Sequence, residues 1–385
     1  MHANYDAQND VIRLNEVLAH LKTLFIGKDD IIDLMGICLA SRENLFLLGP
    51  PGTAKSAVVR ALATLIDGNC FEYLLTRFTE PNEIFGPFDI RRLREGELTT
   101  NTEGMLPEAD LIFLDELLNA NSAILNSLLM ALNERIFRRG RETRTLPVLM
   151  SVGASNHLPE DEALKALFDR FLMRVRSENV APDQLPDVLE AGWRLERNTL
   201  EEAPNVTVEA IKNIQKLLWQ VALDDIKKPY LELVMQLRNA GVPVSDRRAV
   251  KLQRLIAASA LLSGRMQAQV SDLWVLRYIW ETEEQIAVIE GMVNRVVDTD
   301  PVKTQQHPRA SRQSMPDPEE LMHDIQKLSA RWDHPDTTFP DRAAIKDQLR
   351  FINNRAAWIT NAVSRDTILQ HINTLWQKIL HSEAL

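Results

Sequence analysis

The chain has 385 residues, of which 45% are hydrophobic and 25% charged, ordinary proportions for a globular protein of two or three domains. The formal net charge of −10 weighs against a protein that coats nucleic acid, although it leaves room for a local basic surface. The chain has only two cysteines, no leader-like amino terminus and no apolar run near the roughly 20 residues of a membrane span, which predicts a reduced, cytoplasmic protein.

From residue 1 to 182, short apolar runs alternate with helical segments. The runs "NLFLL", "LIFLD" and "PVLMSVGAS" have the continuous apolar character of strands buried on both faces of a parallel sheet. Between them, "SAVVRALATLI" and "SAILNSLLMALNERIF" place apolar residues at helical spacing. This alternation predicts an α/β domain with right-handed crossovers.

Residues 183–297 lack the strand pattern. Segments such as "SDRRAVKLQRLIAASALLSG" and "SDLWVLRYIWETEEQIAVIEGMVNRVV" place apolar residues three and four positions apart, which predicts a helical domain. The proline-bearing stretch 298–318 is poor in apolar residues and is typical of a linker. Residues 319–385 then carry two apolar stripes, from Leu321 to Trp332 and from Ile368 to Ile379, which predict two or three packed helices.

The segment "LFLLGPPGTAKSAVV" has the pattern of a phosphate-binding loop between a strand and a helix. Gly49 and Gly52 permit the backbone to approach phosphate oxygens closely, and a helix that begins near Ala54 would point its positive end at them. Lys55 is then placed to reach the β- and γ-phosphates, and the Ser56 hydroxyl to ligate Mg²⁺. A glycine-proline turn that happens to precede a lysine is the alternative. The predicted nucleotide contacts in this loop are Gly49, Pro50, Pro51, Gly52, Thr53, Ala54, Lys55, Ser56 and Ala57.

Ala54 departs from the strict pattern G-x-x-x-x-G-K-[ST], which has glycine at that position. Alanine is harmless if residue 54 has the φ of a right-handed helix, and it costs roughly 1 kcal/mol or more if the loop demands a positive φ. We expect the former, with Ala54 as the first helical residue, a negative φ and its amide facing the phosphates.

Two acidic residues end the apolar strand in "ADLIFLDEL". Asp115 and Glu116 follow this strand, at the edge where parallel sheets form binding sites. Asp115 is predicted to hold the Mg²⁺ shell, and Glu116 to orient and polarise the attacking water. Acidic strand ends are common in α/β proteins, so this prediction depends on the order and spacing of the pair relative to the phosphate loop.

Two later residues complete the candidate set. Asn156 ends "PVLMSVGASN" and either places a neutral amide beside the water and the γ-phosphate or closes the strand as a turn residue. Arg170 lies in a short turn among apolar residues, in "ALFDRFLMRV", where a buried guanidinium needs an anion. That anion is either a phosphate or a carboxylate of the same chain, for example that of Asp169.

In this order, the motifs resemble those of the AAA+ ATPases of the MoxR family, and within it the RavA-like branch. The similar segments span about residues 20–297 and are "LFLLGPPGTAKS", "YLLTRFTEPNEIFGPFDI", "TEGMLPEADLIFLDE", "ILNSLLMALNERIF", "GASN", "ALFDRF" and "VSDRRAVKLQRLI". The resemblance implies an AAA+ P-loop core, an all-α lid and a C-terminal helical bundle. The family commonly has alanine before the phosphate-loop lysine. A RavA-like chain has an additional β-rich domain between its helical segments, whereas this sequence has only the stretch 298–318 there.

The resemblance also implies catalytic roles. Asp115 and Glu116 match the Walker B pair, and Asn156 matches the sensor-1 residue. Arg170 matches the arginine finger, which acts on the nucleotide of a neighbouring subunit. Such head-to-tail contacts close into a ring, and the family implies a hexamer.

Two further assignments come from the same resemblance. Sensor 2 is assigned to Arg247 rather than Arg248, because Ser245-Asp246-Arg247 best fits the Ser-Pro-Arg form of the family. The alternative is a helix capped by Ser245 or Asp246, with both arginines in solvent. Ile26 and Gly27 match the segment that lines the adenine pocket.

Together these features predict a Mg²⁺-dependent ATP hydrolase, with ATP and ADP as its nucleotides, that works as a chaperone-like motor on a protein client. By family resemblance, its partner is a von Willebrand A domain protein. A nucleotide-gated assembly scaffold with little turnover and an MCM-like nucleic-acid motor are the alternatives. The basic clusters "RRLRE" and "FRRGRETR" are typical of solvated surface, or of contacts with an acidic partner or nucleic acid. The acidic net charge and the lack of a recognisable nucleic-acid-binding domain weigh against the nucleic-acid motor.

Overall fold

The computed structural model of the chain describes residues 2–94, 99–139, 142–180, 184–197, 203–302, 305–310 and 318–333, together with 342, 345–346, 348–349, 352–353, 356 and 362–383. Residues 303–304 and 311–317 of the predicted linker, and residues 181–183 at the predicted domain boundary, lie outside the described part. The chain divides into two compact units, Met1–Asp300 and Pro301–Leu385. Each unit has its own buried apolar core.

A parallel sheet forms the centre of the first unit. The strands are β1 (Leu45–Leu48), β2 (Cys70–Leu74), β3 (Leu111–Asp115), β4 (Ile136–Arg139), β5 (Glu142–Thr145), β6 (Met150–Ser155) and β7 (Met173–Arg176). Five of them pair in parallel in the order β2-β3-β6-β1-β7, and β4 pairs with β5 in an antiparallel sheet of two strands. Every residue of β1 and β6 is buried, as expected for strands covered on both faces. The predicted α/β class is confirmed.

Helices cover this sheet and continue into a helical region. In the first unit they are α1 (His2–Leu24), α2 (Asp29–Ser41), α3 (Lys55–Leu65), α4 (Pro81–Phe85), α5 (Ile90–Arg94), α6 (Ser122–Glu134), α7 (Glu162–Phe168), α8 (Leu185–Glu196), α9 (Val208–Leu217), α10 (Lys227–Asn239), α11 (Asp246–Leu262) and α12 (Glu283–Val297). Short 3₁₀ segments span Leu106–Glu108, Leu117–Asn119, Leu218–Gln220, Asp224–Ile226 and Val270–Tyr278. None of the helices in the described part of the chain is long and apolar enough to cross a bilayer.

Polar side chains fix where several helices begin. Asn121 caps α6, and its side-chain oxygen accepts from the amides of Ala123 and Ile124. Thr207 caps α9 in the same way, and Ser245 caps α11 by accepting from the Arg248 amide at 3.2 Å.

Two segments differ from the predicted helices. Ile136 and Phe137, expected at the end of a helix, lie in β4, because Arg135 has a left-handed φ of 54° that ends α6 and turns the chain into the strand. The segment 271–297, predicted as helical, is divided into the 3₁₀ segment Val270–Tyr278 and α12. The break coincides with carbonyl oxygens of Ile279 and Trp280 that accept from side chains instead of from helix amides.

The second unit is helical, as predicted. It contains a 3₁₀ segment at Pro308–Ala310, α13 (Pro318–Trp332) and α14 (Ala362–Glu383), and α13 packs against α14. Both predicted apolar stripes are buried in one cluster, formed by Leu321, Ile325, Leu328, Trp332, Ile368, Ile372, Leu375 and Ile379 together with Ile345, Leu349, Ile352 and Ala356.

Candidate functional site

One edge of the parallel sheet collects most of the predicted site residues. All five strands run in the same direction, so the residues that follow β1, β3 and β6 meet at the carboxyl edge. The strand β6 lies between β1 and β3, and the Gly49 amide donates to the Ser155 carbonyl oxygen at 3.0 Å. The phosphate loop, the acidic pair at Asp115 and Glu116, and Asn156 therefore lie on three neighbouring strands.

Backbone contacts shape the loop between β1 and α3. A Cβ atom on Gly49 would lie 2.0 Å from the Ser177 carbonyl oxygen, so only glycine fits there. The Thr53 hydroxyl donates to the Pro50 carbonyl oxygen at 3.0 Å, and the Ser177 hydroxyl lies 2.9 Å from the Thr53 hydroxyl. The loop is thus held against the residue that follows β7.

Ala54 has a φ of 63°, so the expected negative φ is wrong. The helix α3 begins one residue later, and the Ala54 carbonyl oxygen already accepts from the Val58 amide at 3.1 Å. Gly52 also has a positive φ, of 84°. The loop turns through these left-handed residues, so closure of the loop sets the angle at residue 54, and the methyl group there costs roughly 1 kcal/mol relative to glycine.

Lys55 lies inside the loop that precedes it. The side chain is buried, and its Nζ atom donates to the carbonyl oxygens of Gly49 at 2.8 Å and Pro50 at 2.9 Å. The ammonium group is also at the amino end of α3, where the helix dipole favours an anion. A phosphate group would offer this ammonium group charged acceptors in place of neutral carbonyl oxygens.

Asp115 and Glu116 form a tight turn at the end of β3. Glu116 has a left-handed φ of 50°, and its amide donates to Oδ1 of Asp115 at 3.0 Å. Strained backbone at a residue other than glycine is concentrated at functional sites, because the surrounding structure must hold it in place. The strain therefore marks this turn as a candidate site independently of its charges.

The oxygen donors at this edge fit Mg²⁺. Asp115 supplies a carboxylate and Ser56 a hydroxyl, both ligand types that Mg²⁺ prefers. Within the described residues, no group of three or more His, Cys, Asp or Glu is arranged to hold a metal ion by itself. Such a sparse set suits an ion that keeps several waters and is shared with substrate phosphates.

Asn156 directly follows β6 and is exposed. Its Oδ1 atom lies 2.6 Å from Nδ1 of His157, which donates when that nitrogen carries the hydrogen. The sequence reasoning missed His157, and its only signal was its position next to Asn156. This contact restrains the orientation of the Asn156 amide.

A cavity of about 360 Å³ lies between the turn joining α1 to α2, the end of β7, the Val270–Tyr278 segment and α12. Gly27 lines it and has a φ of 70°, and a Cβ atom there would lie 2.7 Å from Cγ1 of Val180. Ile26 is half-buried and is not part of the wall. Ser177, which contacts the phosphate loop, also lines the cavity, so cavity and loop are adjacent.

Lys28 is a second buried lysine near the phosphate loop that the sequence reasoning missed. It lines the cavity and donates to the Glu178 carbonyl oxygen. Burial lowers the pKa of Lys28, Glu178 raises it, and the charge of Lys55 lowers it again. The positive charge of Lys55 thus disfavours the ammonium form of Lys28, and an anion near both groups would stabilise them.

Arg170 lies at the opposite, amino edge of the sheet. Leu45 of β1 pairs with Met173 of β7, and the Asn44 side chain, just before β1, donates to the Arg170 carbonyl oxygen at 3.1 Å. A strand of four residues spans about 13 Å, which separates Arg170 from the phosphate loop of its own chain. Its guanidinium lies 3.1 Å from the Asp169 carboxylate, so the predicted ion pair within the chain is present.

Arg247 and Arg248 have different environments. Arg247 is exposed and donates to Oδ1 of Asn133 at 2.7 Å. Arg248 is buried and donates to the Ile279 carbonyl oxygen at 2.6 Å and to the Glu281 carboxylate. The alternative in which both arginines face solvent is wrong for Arg248, and only Arg247 presents a guanidinium at the surface.

A buried arginine on β7 joins the same cluster. Arg174 donates to the carbonyl oxygens of Trp280 at 2.7 Å and Ile279 at 3.2 Å, and it lies 3.9 Å from the Glu281 carboxylate. Burial and the charge of Arg248 lower the pKa of Arg174, and Glu281 opposes them. This cluster, which the sequence reasoning missed, fastens the segment between the 3₁₀ helix and α12 to the sheet.

Comparisons with known proteins agree with this geometry. Residues 12–216 match a family model described as the MoxR domain in MoxR-vWA-beta-propeller ternary systems, and residues 208–293 match the AAA lid domain. An uncharacterized protein of Methanocaldococcus jannaschii is 35% identical over 272 residues, which cover 70% of this chain and 72% of that protein. The chaperone MoxR1 of Mycobacterium tuberculosis is 26% identical over 184 residues, which cover 47% of this chain and 48% of MoxR1.

A solved structure extends the similarity to the fold. The crystal structure of a protein from Cytophaga hutchinsonii, assigned as an ATPase, matches with a TM-score of 0.63 and 19% identity, covering 77% of this chain and 97% of that one. The match to the lid model spans α9 to α11 and most of α12. The two kinds of comparison therefore agree on a P-loop core followed by a helical lid.

Proposed function

Because this chain belongs to the MoxR family of AAA ATPases, we propose that it hydrolyses ATP and uses the reaction, in a ring of identical subunits, to remodel or activate a protein client. The observation that carries the proposal is the convergence of the phosphate loop, the Asp115–Glu116 turn and Asn156 on one edge of the sheet. The proposed reaction is direct attack of water on the γ-phosphate, with no covalent intermediate on the protein.

Each residue at the carboxyl edge has a role in this reaction. Lys55 exchanges its two loop carbonyl oxygens for phosphate oxygens and neutralises the charge that develops on them. When bound, Mg²⁺ neutralises part of the same charge, with Asp115 and Ser56 as its protein ligands. Glu116 orients and polarises the water, and Asn156 holds that water from the neighbouring strand without adding charge.

The adenosine end of ATP, and of the product ADP, is assigned to the cavity lined by Gly27 and Lys28. This assignment is supported by the contact between Ser177, a cavity residue, and Thr53 of the phosphate loop. A volume of about 360 Å³ is within the range of small-molecule sites. Ile26 stays a predicted contact of weaker support, since it does not line the cavity.

In this proposal, a neighbouring subunit supplies two further cations to the site. Arg170 and Arg247 lie away from the phosphate loop of their own chain, so they act only if a second copy presents its carboxyl edge to them. A head-to-tail contact of this kind repeats and closes into a ring. Six subunits are the number that the family resemblance implies.

A von Willebrand A domain protein is the proposed partner. The support is the description of the matching family model, which names vWA and β-propeller components. The finer placement in the RavA-like branch stays a prediction, because the matched relatives do not distinguish that branch.

Replacing Glu116 with glutamine tests the motor against the scaffold. We expect ATP affinity within about threefold of wild type and hydrolysis at least about 100-fold slower, because the water loses its general base. Phosphate release and titration with a fluorescent nucleotide measure the two quantities. Glu232→Gln, which removes an exposed carboxylate on α10, is the matched control and should change neither.

The opposite result would favour the alternative function. If Glu116→Gln hydrolyses ATP within about threefold of wild type while ATP still drives assembly, the protein is a nucleotide-gated scaffold. A nucleic-acid motor has one supporting observation, the exposed side chains of Arg91, Arg92 and Arg94 on α5. It requires DNA-stimulated hydrolysis that disappears when these three charges are neutralised.

A further inference from the structure

Helix α8 carries an apolar stripe that is left open to solvent within the described part of the chain. Leu185, Leu189 and Trp193 recur every four residues and are 50%, 67% and 60% exposed. Ala191 is the buried residue of this helix and lies on the opposite face. Three large apolar side chains on one exposed helix face are typical of a surface that another molecule covers.

Helix α11 carries a second stripe of different composition, in which Arg247 and Val250 are exposed and Lys251 and Arg254 are half-buried. Arg247, Val250, Lys251 and Arg254 recur at the spacing that places them on one helix face. Val250 is 63% exposed, and Trp219, whose ring lies 5.1 Å from the Arg254 guanidinium, is 70% exposed. This α11 stripe, taken with Trp219, is both apolar and basic.

Positive charge is in excess around the α11 stripe. Lys251 and Arg254 both reach the buried carboxylate of Glu43, at 3.5 and 3.2 Å, so one anion serves two cations. Beneath them, the pKa of Arg135 is lowered to about 9, chiefly by burial and by Arg42, although Glu43 raises it. A surface of this kind favours a partner that brings carboxylates.

The two stripes lie at opposite edges of the sheet. The α8 stripe begins directly after Gln184, which lines the cavity at the carboxyl edge. The α11 stripe begins at Arg247, which is bonded to Asn133 of α6. The Asn44 side-chain amide donates to the carbonyl oxygen of Leu132, the residue before Asn133, and also to that of Arg170. The α11 stripe therefore lies on the side of the amino edge.

We propose that the α8 stripe of one copy packs against the α11 stripe of the next copy, in a head-to-tail contact that repeats around the ring. The apolar side chains of α8 cover Val250 and Trp219. Asp187, Glu190 and Glu196 of α8 are exposed and outnumber the exposed Arg194 and Arg197, the latter stacked over Trp193, so a small acidic excess meets the cations of α11. The occupant of the α8 surface is therefore a second copy of this chain.

This inference rests on the proposed function, because it states how the site is completed. With α8 of one copy against α11 of the next, Arg170 and Arg247 of the second copy come to the carboxyl edge of the first. An isologous contact, α8 against α8, would instead leave both phosphate loops on the same side of the contact and both arginine pairs remote from them.

Matched aspartate substitutions test the two stripes. Leu189→Asp and Val250→Asp are each expected to prevent assembly in a slowly hydrolysed ATP analogue and to lower ATPase activity at least tenfold, because each buries a charge in the contact. Leu231→Asp on α10, where the leucine is 61% exposed and outside both stripes, is the control and should stay within twofold of wild type. Sedimentation velocity and phosphate release are the measurements.

Mixing the two damaged proteins tests the polarity of the contact. Leu189→Asp retains an intact α11 stripe, and Val250→Asp retains an intact α8 stripe, so an equimolar mixture contains pairs of intact stripes. We expect the mixture to hydrolyse ATP at least fivefold faster than either variant alone. Circular dichroism of each variant confirms that the monomers are folded.

The outcomes separate this inference from the function on which it rests. Wild-type protein that neither assembles nor hydrolyses ATP would overturn the proposed function. A Leu189→Asp protein that assembles and hydrolyses ATP like wild type would overturn only the role of the α8 stripe. The same holds for a Leu189→Asp protein that loses nothing except binding to a vWA protein. Assembly blocked by each variant, with no rise in hydrolysis when the two are mixed, would overturn the head-to-tail pairing.

Discussion

The carboxyl and amino edges of the parallel sheet hold their functional groups by different means. At the carboxyl edge, backbone geometry does so: Gly49 packs on a carbonyl oxygen, and Ala54 and Glu116 have left-handed angles. At the amino edge, side-chain pairs hold the cations, Arg170 with Asp169 and Arg247 with Asn133. A site fixed by backbone is ready for a ligand, whereas a paired surface arginine can exchange its partner at little cost. In the proposed function, one edge receives the nucleotide and the other offers cations to a neighbouring copy.

Replacing Arg170 is expected to have the largest effect, and it tests whether the amino edge serves the nucleotide of a neighbouring subunit. Because Arg170 lies at the edge away from its own loop, Arg170→Ala should keep ATP affinity within about threefold and slow hydrolysis by the assembled protein about 10³-fold, equivalent to ~4 kcal/mol. Nucleotide titration and phosphate release measure the two effects. Asp169→Asn is the control, since it removes the ion pair but keeps the guanidinium. A parallel loss of affinity and rate in Arg170→Ala would mean that it serves its own chain.

Substituting the two neighbouring arginines on α11 should affect two different quantities, stability for Arg248 and activity for Arg247. Arg248→Ala removes one of the two arginine donors to the Ile279 carbonyl oxygen and leaves the Glu281 carboxylate with only Arg174, 3.9 Å away, so it should cost about 3 kcal/mol of unfolding free energy. Arg247→Ala removes only a surface contact, so it should unfold like wild type while hydrolysis falls about tenfold. Urea unfolding and phosphate release distinguish them. Equal stability of the two variants would contradict the assignment of Arg248 as structural.

The smallest expected effect is at Ala54. Ala54→Gly should relieve the left-handed strain, leaving ATP affinity unchanged and the unfolding free energy within about 1 kcal/mol of wild type. Ala54→Val places a β-branched residue at the same angle, which should weaken ATP binding about tenfold. Calorimetric titration measures the affinity. Similar binding by the two variants would mean that the angle at residue 54 does not matter to the nucleotide.

The sequence predicted which strands meet at the carboxyl edge, but it did not predict the backbone angle at Ala54. The strands before Gly49, Asp115 and Asn156 were recognisable because each is a continuous apolar run that ends in a turn residue or a charge. Their meeting at one edge follows from parallel pairing alone. The angle at Ala54 was wrong because closure of a loop, and not the preference of one residue, decides it.

Elsewhere the missing information was nonlocal. The helical segment 271–297 is interrupted where Arg174, about a hundred residues earlier, donates to the carbonyl oxygens of Ile279 and Trp280. Whether the anion of Arg170 was a phosphate or Asp169 could not be decided from spacing, since adjacent residues pair only when their side chains point the same way. Lys28 carried no motif, and only its burial beside the cavity identified it.

The buried cluster of Arg174 and Arg248 limits how far the lid can move relative to the sheet. Arg174 on β7 and Arg248 on α11 both contact the segment 279–281 of the lid, and both lie beside the Glu281 carboxylate. A swing of the lid about that segment would leave the desolvated guanidinium of Arg174 without acceptors, at a cost of several kcal/mol, whereas Arg248 moves with the lid and keeps its acceptors. The lid and the sheet should therefore travel as one rigid lever. In the proposed ring, the hinge for a power stroke would then lie between subunits rather than within one.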